Sequence, residues 1–240
     1  MPVSLELQCS QPKTLKMDRR IIYLFILFIL PTLSIAQLKI GGKVSFTQVF
    51  VNSEAQLYDN VNDFVIYSLD LDKQQMFPSI GPTIYYRFSD KFTNRNLAAF
   101  IQLETLFNFR RTHFNFRNFL IGIDHQEPII KNNSWIRIPF YGGFEFHQFR
   151  LGFGPMFSFL VHEEKVFEDI QDLREDARSF EPAGLIMIGA NFDNLMIDLS
   201  YEYHFNGVSE FLYYKGQISG FKDLPQFLSL SISYLLPFGK

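Results

Sequence analysis

Two acidic residues and a histidine follow one another at even spacing near the end of the chain, in the stretch "IDLSYEYHF". In a β-strand, even spacing places the side chains of Asp198, Glu202 and His204 on the same face. A carboxylate beside an imidazole is the pair that activates a serine for hydrolysis. The other interpretation is an internal network of salt bridges and hydrogen bonds. Because the sequence singles out no serine as a partner for this pair, it favours the network.

The sequence does not indicate a metal, a cofactor or a nucleic acid. The five histidines are scattered without the spacing of metal ligands: His113, His125, His147, His162 and His204. The formal net charge of −3 lacks the basic excess that phosphate binding needs. We therefore expect no metal site, no cofactor and no nucleic-acid partner.

The stretch "SWIRIPFYGGFEFHQFRLGFGPMFSFLV", Ser134–Val161, shows what kind of element holds charged residues among apolar ones. Every second residue from Ile136 to Phe146 belongs to a largely apolar face, and the residues between them include Arg137 and Glu145. The alternation changes phase after His147-Gln148, as a two-residue hairpin loop requires. The stretch is therefore predicted to be a hairpin with one apolar and one polar face.

The same alternation recurs along the chain and predicts eight strands. They cover about residues 38–50, 77–89, 97–110, 134–146, 149–160, 183–192, 195–206 and 226–238. The connections alternate in length, because 51–76, 111–133, 161–182 and 207–225 are long and the others are short. A membrane barrel has long outer loops and short periplasmic turns. The prediction is an all-β, eight-stranded antiparallel up-and-down transmembrane β-barrel with short periplasmic turns, long extracellular loops and both termini in the periplasm.

The outward faces of these strands carry aromatic residues at both ends and aliphatic residues between them. The aromatic residues at the outer ends are Phe46, Phe50, Phe107, Phe109, Phe157, Phe159, Tyr201, Tyr203 and Phe205, and those at the periplasmic ends are Tyr86, Phe88, Phe144, Phe146, Phe149, Phe192 and Phe238. The aliphatic band consists of Ile84, Ile101, Leu103, Leu151, Ile186, Ile188, Ile197, Leu199, Leu230 and Ile232. Two aromatic girdles around such a band are typical of barrels that span a bilayer. A soluble lipid-binding barrel, the alternative, would place its apolar residues inside.

The inward faces carry the charged residues. The predicted interior polar network consists of Lys39, Lys43, Arg87, Glu104, Arg110, Arg137, Glu145, Arg150, Asp198, Glu202 and His204. Eight strands leave a lumen just wide enough for side chains to fill. Because an isolated buried charge is costly, these residues should pair with one another. We therefore expect a plugged barrel, with a narrow channel as an alternative.

The amino-terminal residues have the layout of a secretory signal peptide. Two arginines precede the apolar run Ile21–Leu30, and Ser34 and Ala36 form a small-x-small cleavage site. The run is shorter than the roughly 20 residues of a membrane-spanning helix. The predicted organisation is a signal peptide over 1–36, in which 1–16 is a mis-assigned start upstream of Met17, followed by a barrel domain over 37–240.

The connection over residues 162–182 is rich in acidic residues and is able to form a short exposed helix. Its acidic residues are Glu163, Glu164, Glu168, Asp169, Asp172, Glu175, Asp176 and Glu181. They can form a docking surface or a divalent-cation bridge to lipopolysaccharide, or they can simply keep a loop solvated. The sequence leaves the role of this connection open.

Five stretches resemble, in order and spacing, the PorT-like outer-membrane β-barrel proteins of Bacteroidetes: "LKIGGKVSFTQVF", "NLAAFIQLETLFN", "WIRIPFYGGFEF", "FRLGFGPMFSFLV" and "FLSLSISYLLPF". The resemblance covers nearly all of residues 37–240 and implies an eight-stranded barrel in the outer membrane. It implies little about activity, because most members have no assigned activity and the namesake is associated with a secretion and gliding apparatus.

These observations together predict a non-enzymatic barrel that is structural or part of an envelope or secretion assembly. Its expected partners are outer-membrane lipid, lipopolysaccharide and envelope or secretion-system proteins. A lipid ester hydrolase that uses Glu202 and His204 and a narrow channel are the alternatives.

Overall fold

The computed structural model describes residues 37–50, 53–58, 65–88, 97–118, 123–124, 128–166, 173–205, 210–214, 217–220 and 225–237. The predicted signal peptide over 1–36, the start at Met17 and the girdle residue Phe238 lie outside these ranges. Within them, no helix is long and apolar enough to cross a membrane.

The described residues form β-strands that pair with their neighbours. In chain order the strands are β1 (Gln37–Phe50), β2 (Ser53–Tyr58), β3 (Val65–Met76), β4 (Ser79–Arg87), β5 (Leu97–Glu104), β6 (Leu106–Asn118), β7 (Ile123–Asp124), β8 (Ile129–Phe146), β9 (Phe149–Glu163), β10 (Leu173–Ala177), β11 (Phe180–Phe192), β12 (Leu195–His204), β13 (Glu210–Tyr214), β14 (Gln217–Gly220) and β15 (Gln226–Pro237).

Eight of these strands close into a ring, which confirms the predicted all-β, antiparallel, up-and-down fold. Around the ring the order is β1, β15, β12, β11, β9, β8, β5 and β4, and β4 pairs with β1 again. Lys39 pairs with Pro237 on one side of β1 and with Tyr85 on the other. The first and last described strands are therefore neighbours, and closure leaves no free sheet edge around this ring.

Side chains in the ring alternate between buried inward positions and exposed outward positions, because successive residues of a strand point to opposite faces. From Leu195 to His204 the alternation has no exception. The predicted aliphatic band is on the outside, with exposed fractions between 37% at Ile197 and 55% at Ile188. The outward and inward faces that the alternation predicts for these strands are therefore confirmed.

One girdle residue is covered although it lies on the predicted outward face. Tyr86 pairs with the exposed Ile101, which shares that face, but its own exposure is only 6%. Its ring contacts the ring of Phe88 edge to face, with 4.9 Å between the centroids. Contact with the neighbouring Phe88 ring contributes to this low exposure.

The two predicted hairpin turns are confirmed. Phe146 pairs with Phe149, and Phe192 pairs with Leu195. The first turn residues, His147 and Asp193, have φ values of 54° and 55°. This left-handed region is uncommon for residues other than glycine, but His, Asn and Asp are enriched in it.

The long connections at the opposite end of the ring contain more β-structure than predicted. Strands β2 and β3 lie within the expected loop 51–76, and β6 and β8 extend into the expected loop 111–133. Over residues 162–182, where a short helix was considered, the structure instead has β10, which pairs with β13 in a separate three-stranded sheet. Backbone hydrogen bonds to a neighbouring strand override the local preference of these polar segments.

Candidate functional site

The charged residues of the lumen form two buried clusters, and the lower cluster lies nearer the His147 and Asp193 turns. It consists of Lys43, Gln102, Glu104, Arg150 and Asp198. The Lys43 ammonium is 2.6 Å from a Glu104 carboxylate oxygen and 3.9 Å from an Asp198 oxygen. Arg150 Nε is 3.3 Å from the other Asp198 oxygen. Two bases thus balance two acids, and the Gln102 amide bridges Arg150 and Glu104.

Apolar side chains close around the lower cluster. The Arg150 guanidinium lies 4.6 Å from the centre of the Phe100 ring and 5.4 Å from that of Tyr85. It also contacts the sulfur of Met196. Because aromatic faces and thioethers attract a cation weakly, they fill the lumen without leaving the guanidinium in a purely aliphatic environment.

The upper cluster lies further from the turns and consists of Arg110, Arg137, Glu181, Glu202 and His204. Two guanidinium nitrogens of Arg110 donate to the two carboxylate oxygens of Glu181, each at 3.1 Å. Arg137 donates to Glu202 and lies 3.0 Å from the sulfur of Met156. His204 lies between the carboxylates, 3.8 Å from Glu181 and 3.8 Å from Glu202. Two arginines again balance two glutamates.

Aromatic residues cover the upper cluster. Trp135, the only tryptophan of the chain, is fully buried, and the Arg110 guanidinium lies 4.7 Å from its ring centre. Phe227 is also fully buried and packs edge to face against the His204 ring at 4.4 Å. The described part of the lumen is therefore filled by packed side chains at this level.

Near the turns, the remaining charged residues surround a cavity of about 340 Å³. Arg87 Nε is 3.3 Å from Glu145, and the Asn191 amide donates to Glu145 at 2.9 Å. Lys39 donates to the backbone carbonyl of Asp193. The Arg87 side chain is 36% exposed, whereas Glu145 is buried. This group forms the mouth of the lumen at the turn end.

Every residue predicted for the interior network thus lies on an inward face, but the sequence did not specify the pairs. Glu145 stands beside Arg150 across the hairpin, yet it pairs with Arg87, and Arg150 pairs with Asp198. Each arginine side chain reaches several strands, so adjacency in the ladder does not determine its partner.

Sequence reasoning missed Glu181 and Lys131. Glu181 was assigned to the acidic connection but faces inward from β11. Lys131 is fully buried and lies 2.8 Å from Glu163. Both residues lie on the inward faces of their strands, because Glu181 is an even number of residues from the buried Met187 and Lys131 is an even number of residues from the buried Arg137. Extending the alternation past the predicted strand ends would have identified them.

The arrangement around Glu202 and His204 does not form a nucleophile site. Glu202 is bound to Arg137, and its 3.8 Å separation from His204 Nε2 exceeds hydrogen-bonding distance. Ser229 donates to Glu202 at 3.4 Å rather than to the imidazole, and all of these side chains are buried. Among the described residues, no group of three or more histidine, cysteine or acidic side chains is placed to hold a metal ion.

No family model and no curated protein matches the chain, so the resemblance to PorT-like proteins remains a prediction. Similar solved structures include the outer membrane protease OmpT from Escherichia coli, at 9% identity over 84% of this chain and 96% of that chain, with a TM-score of 0.37. Ail, the attachment invasion locus protein of Yersinia pestis, is 13% identical over 84% of this chain and 97% of that chain, with a TM-score of 0.24. The translocator domain of autotransporter NalP from Neisseria meningitidis is 9% identical over 93% of this chain and 99% of that chain, with a TM-score of 0.28. At such identities and TM-scores the likeness gives no guide to activity.

Proposed function

We propose that this chain is a non-enzymatic, plugged β-barrel of the bacterial outer membrane, with the short turns and both termini on the periplasmic side. The observation that carries the proposal is the inversion of the usual soluble pattern. Leu230 and Ile232 of β15 are 50% and 47% exposed, whereas the alternating Ser229, Ser231 and Ser233 are buried. Water is a poor solvent for such a surface, and lipid is a good one.

The plug is supported by the charge balance of the lumen. Each buried cluster pairs two bases with two acids, so neither cluster offers a net charge that would attract and conduct one kind of ion. Trp135 and Phe227 fill the space beside the upper cluster. Pairing leaves no uncompensated charge among these residues, which favours a structural barrel over the narrow channel.

A role in an envelope or secretion assembly, as the resemblance to PorT-like proteins implies, is the part of the proposal that concerns partners. The burial of Glu202 and His204 keeps these side chains out of contact with a substrate, which counts against the hydrolase alternative. The strands β2, β3 and β6, which continue beyond the ring, support a role in binding a partner. Those strands offer a surface outside the bilayer. Co-purification from gently solubilised outer membranes identifies which proteins bind it.

The localisation is tested by fractionation. We expect the mature protein to begin at Gln37 and to sediment with the outer membrane. Amino-terminal sequencing and density-gradient separation of inner and outer membranes measure both properties. Recovery of the protein in the soluble periplasm would refute the membrane barrel, and retention of residues before Ala36 would refute the cleavage site.

The plug is tested by electrical recording. The purified barrel in a planar bilayer should show little steady conductance, because the buried ion pairs and aromatic residues occupy the lumen. A matched variant, Trp135→Gly, removes the largest buried side chain and should raise the conductance if the upper cluster is the constriction. A large, stable, ion-selective conductance of the unmodified protein would support the channel instead.

A further inference from the structure

The outward wall of the barrel has a trough where β9, β11 and β12 lie side by side, with a cavity of about 530 Å³. Gly184 of β11 lies in its floor and pairs with Pro155 of β9 on one side and with Tyr203 of β12 on the other. Gly184 is two residues from the exposed Ile186, so it belongs to the outward face of its strand. Because glycine has no side chain, the wall is recessed at this position.

Larger outward side chains surround the floor. Towards the turn end, Ile186 pairs with Phe153 and Tyr201, and all three side chains are exposed. At the opposite end the Phe205 ring leans over Gly184, because a Cβ atom at that glycine would lie 3.3 Å from Phe205 Cζ. The trough is therefore bounded at both ends and opens away from the wall.

The lining of the trough suits an apolar occupant. The outward side chains around it are all apolar or aromatic: Phe153, Pro155, Ile186, Tyr201, Tyr203 and Phe205. Ile186 belongs to the aliphatic band, and Tyr203 and Phe205 belong to the aromatic girdle at the outer ends of the strands. The site rests on the proposed function, because in a membrane barrel this position faces the acyl chains of the outer half of the bilayer.

We propose that the trough holds one unbranched acyl chain of an outer-leaflet lipid. From β9 to β12 the backbone spans two strand spacings, about 9.6 Å. A methylene chain that contacts carbon atoms on both sides, each at about 3.5–4.0 Å, needs about 7–8 Å between them. One straight chain therefore fits along β11, whereas methyl branches keep a chain above the floor.

Packing, rather than the removal of apolar surface from water, makes the site selective. Lipid chains are as apolar as the side chains around Gly184, so every chain next to the wall is already out of water. A chain that does not reach the floor leaves a void there and loses the dispersion contacts that a fitting chain makes. The trough therefore distinguishes chains by their shape.

A second copy of the barrel fits the trough less well. Phe153 and Phe205 are 62% and 61% exposed and project beyond the floor. The wall of another barrel would rest on these two rings and leave the recess at Gly184 empty. A single flexible chain passes between them.

Methyl NMR follows the trough directly. The protein is labelled at the δ1 methyl groups of isoleucine and placed in nanodiscs of diphytanoylphosphatidylcholine, whose chains carry methyl branches. Stearic acid, which has one straight chain, is titrated as the probe. Ile186 reports the trough, whereas Ile84 and Ile232, which are 42% and 47% exposed elsewhere on the outward wall, report general contact with the probe.

We expect the Ile186 signal to shift saturably and to show nuclear Overhauser contacts with the stearate chain, while the Ile84 and Ile232 signals shift in proportion to the added probe. Gly184→Leu fills the floor and should raise the half-saturating mole fraction of stearic acid about tenfold, the effect of losing on the order of ten dispersion contacts. Ala190→Leu is the matched control and should leave that mole fraction unchanged, because it adds a leucine to the same face of β11 about 20 Å away.

Unchanged Trp135 emission shows that each variant is folded, and the nuclear Overhauser contacts test the unmodified protein if Gly184→Leu misfolds. Ile186 shifts that stay proportional to the added probe, as at Ile84 and Ile232, overturn the site, as does saturation that Gly184→Leu leaves unchanged. An Ile186 shift that requires two barrels in one nanodisc assigns the trough to a second copy and also overturns the acyl-chain site.

Incorporation into the nanodiscs separates this site from the function on which it rests. A protein that stays folded in solution and does not enter nanodiscs contradicts the proposed membrane barrel, and the site with it. A protein that enters nanodiscs without a saturable shift at Ile186 contradicts the acyl-chain site alone.

Discussion

Leu199→Arg should strongly destabilise the barrel in lipid. Leu199 lies in the middle of the outward face of β12 and is 40% exposed. An arginine facing lipid at the midplane of a bilayer costs about 2–4 kcal/mol, a large fraction of the stability of a small domain. Urea titration of the barrel folded into phospholipid vesicles, followed by Trp135 emission, measures the loss.

Phe205→Arg is the matched control for this change. Phe205 follows β12 on the same outward face but lies at the outer rim, where it is 61% exposed. The cost of arginine falls to about 0–1 kcal/mol near the interface. Equal losses at the two positions would mean that the aliphatic band does not lie at the bilayer midplane.

Glu202→Gln should destabilise the barrel strongly. It removes the carboxylate that pairs with Arg137, a side chain that is only 2% exposed and otherwise contacts the Met156 thioether and the Phe227 ring. Removing one partner of a buried pair costs about 3–5 kcal/mol, and hydration of the lumen lowers that value. The unfolding midpoint in urea should therefore fall while insertion of the folded fraction is retained.

The double variant Arg137→Met with Glu202→Gln tests whether the unpaired Arg137 is the cause of the destabilisation by Glu202→Gln. Replacing both members of a buried pair by uncharged side chains is often neutral or stabilising. We therefore expect the double variant to be more stable than Glu202→Gln alone. A double variant that loses the sum of the two single losses contradicts the pairing. If Glu202→Gln left stability unchanged and abolished hydrolysis of a lipid ester, the hydrolase alternative would replace the plugged barrel.

Alternation made the ring predictable from the sequence because each of its strands has one face toward the interior. Ile186 to Phe192 is apolar on both faces, yet the short turn at Asp193 fixed its orientation through Leu195. The same logic placed Lys43 and Glu202 inside. Local patterns and turn geometry are sufficient for this part of the fold.

Other features depend on contacts that the sequence does not display locally. The register between β3 and β6 shifts between Leu71 and Lys73, which makes Asp72 an extra residue, and nothing in the sequence around it distinguishes it from regular strand. The bidentate pair of Arg110 and Glu181 joins β6 and β11, which are not neighbours in the sheet. Such pairs depend on the shape of the closed lumen, so they become visible only after the barrel exists.

The pairing of β1 with β15 also sets the order in which the barrel can fold. Lys39 meets Pro237 only when nearly the whole described chain has been brought together, so this contact carries the largest loop-closure entropy in the ring. High contact order slows folding, and we expect the β1–β15 seam to form last. Until then both strands present open edges that can pair with other chains. Pulse-labelling hydrogen exchange during refolding should therefore find the amides of this seam protected after those of the β8–β9 hairpin.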